Sequence, residues 1–446
     1  MELFKKKIAE RCAEKGISDY EIYYQLGEST SVGVHQQEVH QFTSSVDGGV
    51  CFRCMVNGCM GYASSESLDP NQAYELVDRA ADNAAVLETE DLEFLGEGGQ
   101  TYQPLNRQLY DLPTTEQLIA TALDTQKAIY AADSRVVDGS ATQCLREETE
   151  ICIWNSKGLD LRYVNRVAGV VVSAVVSDGG EMANDAKIRL GAPECIDTHS
   201  LAGEAVTAAL EKLGGEAAPT GVYPVVFSPE AMSELLKTFS GGFSADAAQK
   251  GLSRLKDQEG QRIGSELLTI LDDPFHPENP SPIHFDDEGS PTACKAVVEK
   301  GVLKTLLYNL KTAHKAGKTT TGNGSKASYK APIGIRPFTM YIAAGSHSTE
   351  ELIGLAGEGV YIDALHGTHA GSDGVSGDFS IQSTGYLIEN GQKTARIKGF
   401  TVAGNFYELL QNITAVASDV KLPMPLGSTT FGSPTVLVKG LSIAGK

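Results

Sequence analysis

HGTHAGSDGVSGDFSIQSTGYLIENGQKTARIKGFTVAGNFYELLQN, residues His366–Asn412, sets a loop, a hairpin and a short helix in immediate succession. Glycines at 367, 371, 374 and 377 mark a loop whose backbone takes turns that side-chain-bearing residues resist. His366, His369, Asp373 and Asp378 are set among them. From Asp378 to Glu389, Phe379, Ile381, Ser383, Gly385 and Leu387 alternate with Ser380, Gln382, Thr384, Tyr386 and Ile388, the period of a β-strand. Asn390-Gly391 suits a tight primed turn, and the return strand covers Lys393–Val402. Gly404-Asn405 then breaks the strand before a short helix, Phe406–Ile413. So compact a series of elements is not a linker.

Upstream, Val222–Phe227 is an apolar strand, and Ser228-Pro229 starts a helix that runs to about Phe239. Short helices are expected near Lys250 and at Thr349–Ala356, in a region otherwise rich in loops and strands. Gly214–Gly221 (GGEAAPTG) is the clearest domain boundary. Before it, an amphipathic helix ends at Gly16. Strand-like runs follow at Glu21–Gln25, Ser31–Val34, Val39–Ser44 and Gly49–Val56, with turns expected at Asp47-Gly48-Gly49 and Asn57-Gly58. Asp69-Pro70 opens a helix with Ala73, Leu76, Val77, Ala80, Ala81 and Ala84 on one face. Glu88–Pro113 reads as a linker. Thr114 or Thr115 caps a helix to about Ala132, with strands at Arg135–Thr142, Glu150–Trp154, Asp160–Ser177 and Glu181–Leu190, and a helix from Asp197 or Thr198 to Gly214. Strands and helices do not alternate as in a parallel sheet. The expected class is α+β, an N-terminal antiparallel β-meander with helices followed by a large β-rich C-terminal domain with short helices. The domains expected are 1–110, a central segment 111–215 able to pack with the first, and 220–446.

The chain of 446 residues carries a net charge of −20, with 41% hydrophobic and 21% charged residues. Such an acidic field repels phosphate backbones, so no direct nucleic-acid partner is expected. No apolar run approaches the roughly 20 residues of a spanning helix, so no membrane partner is expected either. MELFKKKIAERCAEKG lacks the apolar core of a signal peptide. Eight scattered cysteines in apolar surroundings suit reduced thiols, and the expected location is cytoplasmic.

The stretch opening this section resembles the signature region of the TldD/PmbA family, through GTHAGSDGVSGDFSIQSTGYLIENG and FTVAGNFYELLQNI. The resemblance extends to SGGFSADAAQKGLSRLKDQEGQRIGS (Ser240–Ser265), FDDEGSPT (Phe285–Thr292) and the closing FGSPTVLVKGLSIAG. It covers most of Val222–Lys446. It implies a zinc metallopeptidase system of two homologous subunits acting on unfolded or short peptides. One subunit bears a helix with HExxxH and a C-terminal cysteine; the other, of PmbA or TldE type, lacks them. The family is linked to maturation of peptide antibiotics and removal of antitoxins, and was first described as a modulator of DNA gyrase.

Setting Gly242–Asp246 against the family's segment after the second histidine puts Gly241 at that histidine. Leu236 and Lys237 then stand at the first histidine and the general-base glutamate. Zinc needs neutral imidazole, thiolate or carboxylate donors, and none of the three residues is one. The last cysteine is Cys294, with none after it to serve as third ligand. Ala231, Met232, Leu235, Leu236 and Phe239 instead form an apolar stripe facing a core. The resemblance therefore implies a PmbA-type subunit with no metal of its own. Zinc is expected in a partner, a homologous TldD-type chain in a heterodimer; a homodimer is the alternative. Candidate peptide-binding residues are His366, His369, Asp373, Asp378 and Asn405, with strand edges flanking Gly367–Asp378 taking an extended peptide by β-augmentation.

The loop of His366, His369 and Asp373 is the strongest candidate for an independent metal-dependent hydrolase, and a homodimeric interaction protein with no peptidase role is a third reading. Cys51-Phe-Arg-Cys54 with Cys59 lies in a strand, where positions three apart face opposite ways, and reads as buried small hydrophobes. His284-Phe-Asp-Asp-Glu-Gly289 lacks the alternating ligands of a calcium loop and reads as a solvated turn. Lys311–Lys330 reads equally as an anion-contacting or substrate-gating loop and as a mobile surface loop. No nucleophile elbow, P-loop or dinucleotide fingerprint is present.

Overall fold

A computed structural model describes residues 1–89, 91–105, 109–423, 425 and 427–445. It is of mixed α+β type, with an antiparallel N-terminal sheet and a β-rich C-terminal region. The chain forms two compact units. The first comprises residues 1–213, 283–292 and 308–335, the second residues 214–282, 293–307 and 336–446.

In the first unit, α1 (Glu2–Lys15) is closed by Gly16 at φ 68°, a left-handed cap that costs glycine little. Six strands follow: β1 (Tyr20–His35), β2 (Glu38–Val56), β3 (Cys59–Ser65), β4 (Ala141–Asn155), β5 (Asp160–Asp178) and β6 (Glu181–Leu190). They form one antiparallel sheet in the order β3-β2-β1-β4-β5-β6, so β1 joins residues 1–110 to the segment that follows. Two strands are longer than expected. The turn read at Asp47-Gly48-Gly49 is absent, and β2 runs straight through it. The glycines serve close approach instead: a Cβ on Gly48 would stand 2.3 Å from the Gln25 carbonyl oxygen, and one on Gly49 2.6 Å from the Tyr329 ring. The Asn57-Gly58 turn does form, with φ of 51° and 82°. Arg135–Thr142 is mostly turn, and β4 begins only at Ala141.

Helices α2 (Ala73–Ala85), α3 (Thr115–Ala132) and α4 (Thr198–Glu211) complete this unit. Asp69-Pro70 opens a single 3₁₀ turn before α2, since Asp69 accepts the Asn71 N–H and closes that turn first. Thr114 and Gln117 form a reciprocal capping box on α3. Ile22, Val50, Phe52 and Cys54 pack under α1 and α2, and Val32, Val34, Cys144 and Val170–Val176 under α3 and α4. The expected linker Glu88–Pro113 contains residues 90 and 106–108, which lie outside the described residues. Leu95 is buried, and Tyr62 and Lys311 hold Glu93 and Asp91.

The second unit centres on five strands that close on themselves. β7 (Gly221–Phe227) pairs in parallel with β8 (Gly359–His366), then β8 with β9 (Asp378–Glu389), β9 with β10 (Gln392–Asn405), and β10 with β11 (Val436–Ala444). β11 returns to β7. Asn390 and Gly391 make the β9–β10 turn at φ 52° and 72°. α5 (Pro229–Phe239) is capped by Ser228, whose oxygen accepts the Ala231 N–H at 3.1 Å. α6 (Phe406–Gln411) ends two residues earlier than expected, because Ile413 already begins a strand paired with β11.

Candidate functional site

The signature loop is held by its own polar groups. The Asp373 carboxylate accepts the N–H groups of Val375 and Ser376 at 2.8 and 3.0 Å. Asp378 accepts the Ser376 hydroxyl at 2.9 Å and the Asn405 amide at 2.8 Å. Those donors hold both carboxyl groups below the usual carboxylate range, Asn405 acting most strongly on Asp378. Asn405 also donates to the Ser376 carbonyl at 2.9 Å and caps α6 by accepting from Tyr407 N–H at 3.1 Å. One amide thus fastens the loop to the helix. Gly377, at φ 83°, lies so close to Tyr407 that a Cβ would stand 2.6 Å from its ring. Arg254 donates to the Ser376 carbonyl at 3.2 Å, and its guanidinium lies 5.5 Å from the Tyr407 ring centre. Thr368 is buried and donates to Glu234 at 3.0 Å.

Arg254, Thr368, Ser376 and Tyr407 were not among the sequence candidates. The run Ser240–Ser265 that contains Arg254 was the one signal pointing to it.

His366 and His369 are exposed on this loop. The loop does not gather them with Asp373 into a shared donor set: among the described residues, no three His, Cys, Asp or Glu side chains stand where they could hold a metal ion. The strand edges also differ from expectation. β10 covers one side of β9 along its length. On the other side, β8 pairs with Gln382–Ile388, and the loop folds back so that Ser380 N–H donates to Gly371 at 2.8 Å. β9 therefore has no open edge. The parallel register of β8 with β7 stops at Ile362↔Phe227; beyond it the Ser228 hydroxyl donates to the Asp363 carbonyl at 3.0 Å, and β9 is the strand neighbour of residues 363–366 among the described residues.

The helix positions set against the family's metal ligands lie on α5 and just beyond it. Leu236 is fully buried with Met232, Leu235 and Phe239. Phe239 stacks on Phe406 at 4.7 Å between ring centres. Lys237 points outward and ion-pairs with Glu234 at 3.2 Å. Gly241 sits in the 3₁₀ turn that follows. An aliphatic side chain, an ammonium and a glycine do not fit a zinc ion, which needs imidazole, thiolate or carboxylate donors.

A second polar centre lies in the first unit, where a solvated turn was expected. Asp286, Asp287 and Glu288 are 1%, 5% and 2% exposed. The apolar neighbours of the motif hide the reason: its carboxylates end buried backbone N–H groups. Asp286 accepts those of Glu288 and Ser290 at 2.9 Å and of Gly324 at 2.7 Å. Asp287 accepts from Lys326 N–H at 2.7 Å and from the Tyr23 hydroxyl at 2.8 Å. Glu288 accepts from Leu310 N–H at 2.7 Å. Nearby, Arg53 pairs with Glu21 at 2.8 Å, both buried. The segment Lys311–Lys330 is accordingly no free loop. It contains a helix at Leu310–Lys315 and a strand at Gly324–Lys326, with Asn323 fully buried. Cys51 and Cys54 are buried as expected, on opposite faces of β2; Cys195 and Cys294 are exposed.

Models of the PmbA/TldD family match three parts of the chain. Those described as PmbA/TldA metallopeptidase domain 1, central domain and C-terminal domain match residues 20–84, 110–213 and 220–445. A protein called metalloprotease TldD homolog from Haemophilus influenzae is 26% identical, over 93% of this chain and 88% of its own length. The crystal structure of TldE from Thermococcus kodakarensis is 25% identical with a TM-score of 0.87, covering 99% of this chain and 100% of that one. That of a candidate modulator of DNA gyrase from Thermotoga maritima MSB8 is 30% identical with a TM-score of 0.89, over 99% and 100% of the two chains.

Proposed function

This chain belongs to the PmbA/TldD family of metallopeptidases, and we propose that within it the chain is the peptide-binding and assembly subunit of a two-chain enzyme. Zinc and the water-activating glutamate would be supplied by a homologous, TldD-type chain. The observation that carries this reading is the occupancy of α5: buried Leu236, outward Lys237 and Gly241 stand where the family resemblance puts two histidines and a glutamate. No step of hydrolysis is assigned to these residues.

The same reading gives the signature loop a binding role. An extended peptide laid beside the end of β8 would find His366, His369 and Asp378 exposed next to it. Main-chain hydrogen bonds would supply affinity with little sequence preference, as suits a peptidase of unfolded chains. The reaction would take place in the cytoplasm. A relation to DNA gyrase would be indirect, given the net charge of −20.

The test is the zinc content of the purified chain after dialysis against stoichiometric zinc, with peptide cleavage measured alone and after mixing with an HExxxH homologue. No retained zinc and cleavage only in the mixture are expected. One zinc per chain, lost when His366 and His369 are replaced, would overturn the reading and make the chain a peptidase in its own right.

A further inference from the structure

Where β1, β2 and β3 pair, the two faces of the first unit's sheet differ. On β2, Val50, Phe52 and Cys54 join the apolar cluster under α1 and α2. Cys51 and Arg53 point the other way, because side chains alternate along a strand. Register sets Tyr23 beside Cys51, and Glu21 and Tyr62 beside Arg53. Residues 308–335 of the same unit bring Lys326 against this polar face.

Lys326 is a buried lysine, only 9% exposed. Its Nζ donates to the Ala331 carbonyl at 2.5 Å and lies 5.2 and 5.7 Å from the ring centres of Tyr23 and Tyr62. The Cys51 sulfur stands 3.9 Å from the same nitrogen, and Cys51 is 2% exposed. The thiols of Cys12, Cys54 and Cys144 are buried in apolar clusters instead. Burial pushes the Lys326 amine below the usual lysine range, and pushes the Cys51 thiol up against the opposing pull of Lys326 and Arg53. A neutral amine is a nucleophile and an ammonium is not, so desolvation prepares Lys326 to form a bond.

We propose that Cys51 and Lys326 form an oxidative modification site, joined by a sulfur–nitrogen bond when the chain meets a peroxide. Lys326 first takes the thiol proton. The Cys51 thiolate attacks one oxygen of hydrogen peroxide, and the O–O bond breaks. The departing hydroxide recovers the proton from Lys326, which leaves a sulfenic acid, a neutral amine and water. Sulfur has been oxidised by two electrons and the peroxide reduced. The Lys326 nitrogen then attacks the sulfenic sulfur; the S–O bond breaks, and the hydroxyl leaves as a second water with one amine proton. Two molecules of a thiol reductant reverse the link, restoring thiol and amine and leaving as their own disulfide. The bond ties β2 to the short strand Gly324–Lys326 across 275 positions of the chain. It does not rest on the chain's place in a two-chain peptidase.

Peptide mapping by mass spectrometry on the full chain tests the site. The chain is treated with hydrogen peroxide, unfolded, blocked at its free thiols and digested. The peptides that hold Cys51 and Lys326 are expected to be joined, and to separate after dithiothreitol. Lys326→Arg keeps the positive charge and removes the nucleophile. It is expected to stop at a Cys51 sulfenic acid, trapped by a cyclic-dione probe. Should that variant fail to fold by circular dichroism, the wild-type map decides alone. A Cys51 still open to alkylation after peroxide would overturn the proposal. So would a Cys51 oxidised to sulfinic or sulfonic acid, or bound to another cysteine, with Lys326 unmodified.

Discussion

The Tyr23 hydroxyl donates to the buried Asp287 carboxylate at 2.8 Å, joining residues 264 positions apart in the chain. Tyr23 lies on the first strand of the sheet; Asp287 lies in a segment that returns to the same unit after more than half the chain has passed. Asp287 has one other described partner of this kind, the Lys326 N–H. Tyr23→Phe keeps the ring and removes the donor. It should lower the stability of the first unit by about 1.5–3 kcal/mol, the usual worth of a hydrogen bond to a charged group. Denaturant unfolding followed by hydrogen exchange at residues 324–326 would measure it. An unchanged midpoint would show that Asp287 is satisfied without Tyr23.

Beside it, burial pushes the Asp286 and Glu288 carboxyl groups up, to about 7 and about 8, with repulsion from Asp287 adding to the first and repulsion from Asp286 to the second. Asp286 receives three backbone N–H groups and Glu288 one, so the hydrogen bonds favour the charge on Asp286 and the proton on Glu288. A carboxyl whose folded pKa lies above its ordinary 4.5 contributes stability below that pH and loses the contribution as pH rises through about 8. The first unit should therefore weaken between those limits, and Glu288→Gln should flatten this part of the pH–stability curve. Identical slopes in variant and wild type would exclude Glu288 as the titrating group.

Asn405→Ala removes the cap of α6 together with the amide that ties Ser376 and Asp378 to it. A lost cap alone costs about 1 kcal/mol. The expected outcome is a drop of that size or larger in the second unit's stability, with faster hydrogen exchange in residues 371–378. Protection unchanged from wild type would mean that Arg254 and Gly377 suffice to hold the loop.

Asp378→Ala leaves the Asn405 cap of α6 in place and removes the exposed carboxylate together with the hydrogen bonds it accepts from Ser376 and Asn405. On the proposed function it should weaken peptide binding or subunit assembly, read as a raised KM or a reduced complex fraction in the reconstituted pair. Wild-type activity would remove Asp378 from the binding surface.

Phe239→Ala opens a hole between α5 and α6, where the Phe239 and Phe406 rings stack and Phe379 stands 6.2 Å away. The expected loss is about 3–5 kcal/mol, as for other buried aromatic truncations. A loss under 1 kcal/mol by calorimetry would mean that the site collapses to refill the space.

Local rules that close on themselves were legible in the sequence. Ser228 and Thr114 cap their helices, Asn57-Gly58 and Asn390-Gly391 turn their hairpins, and the α5 stripe faces a core, each decided within a few residues by backbone and side-chain geometry. The family resemblance added the motifs of the signature loop, and of the candidates named there Asp373, Asp378 and Asn405 sit together around Ser376, while His366 and His369 do not join them. One glycine pair misled for the opposite reason. At Gly48-Gly49 the need is for room beside Gln25 and Tyr329, contacts that no local window contains.

What the sequence by itself determined is the caps of α3 and α5, the turns at Asn57-Gly58 and Asn390-Gly391, the acidic charge, and that Leu236, Lys237 and Gly241 carry no zinc-donor side chain. Those follow from periodicity and from side-chain chemistry, which travel with the residue wherever it is placed. Only the tertiary structure decided that Asp286, Asp287 and Glu288 are buried and that β9 is sealed on both sides. Burial and strand pairing depend on which distant backbone groups arrive to be satisfied. A carboxylate run looks the same on paper whether water or the N–H groups of Gly324, Lys326 and Leu310 complete it.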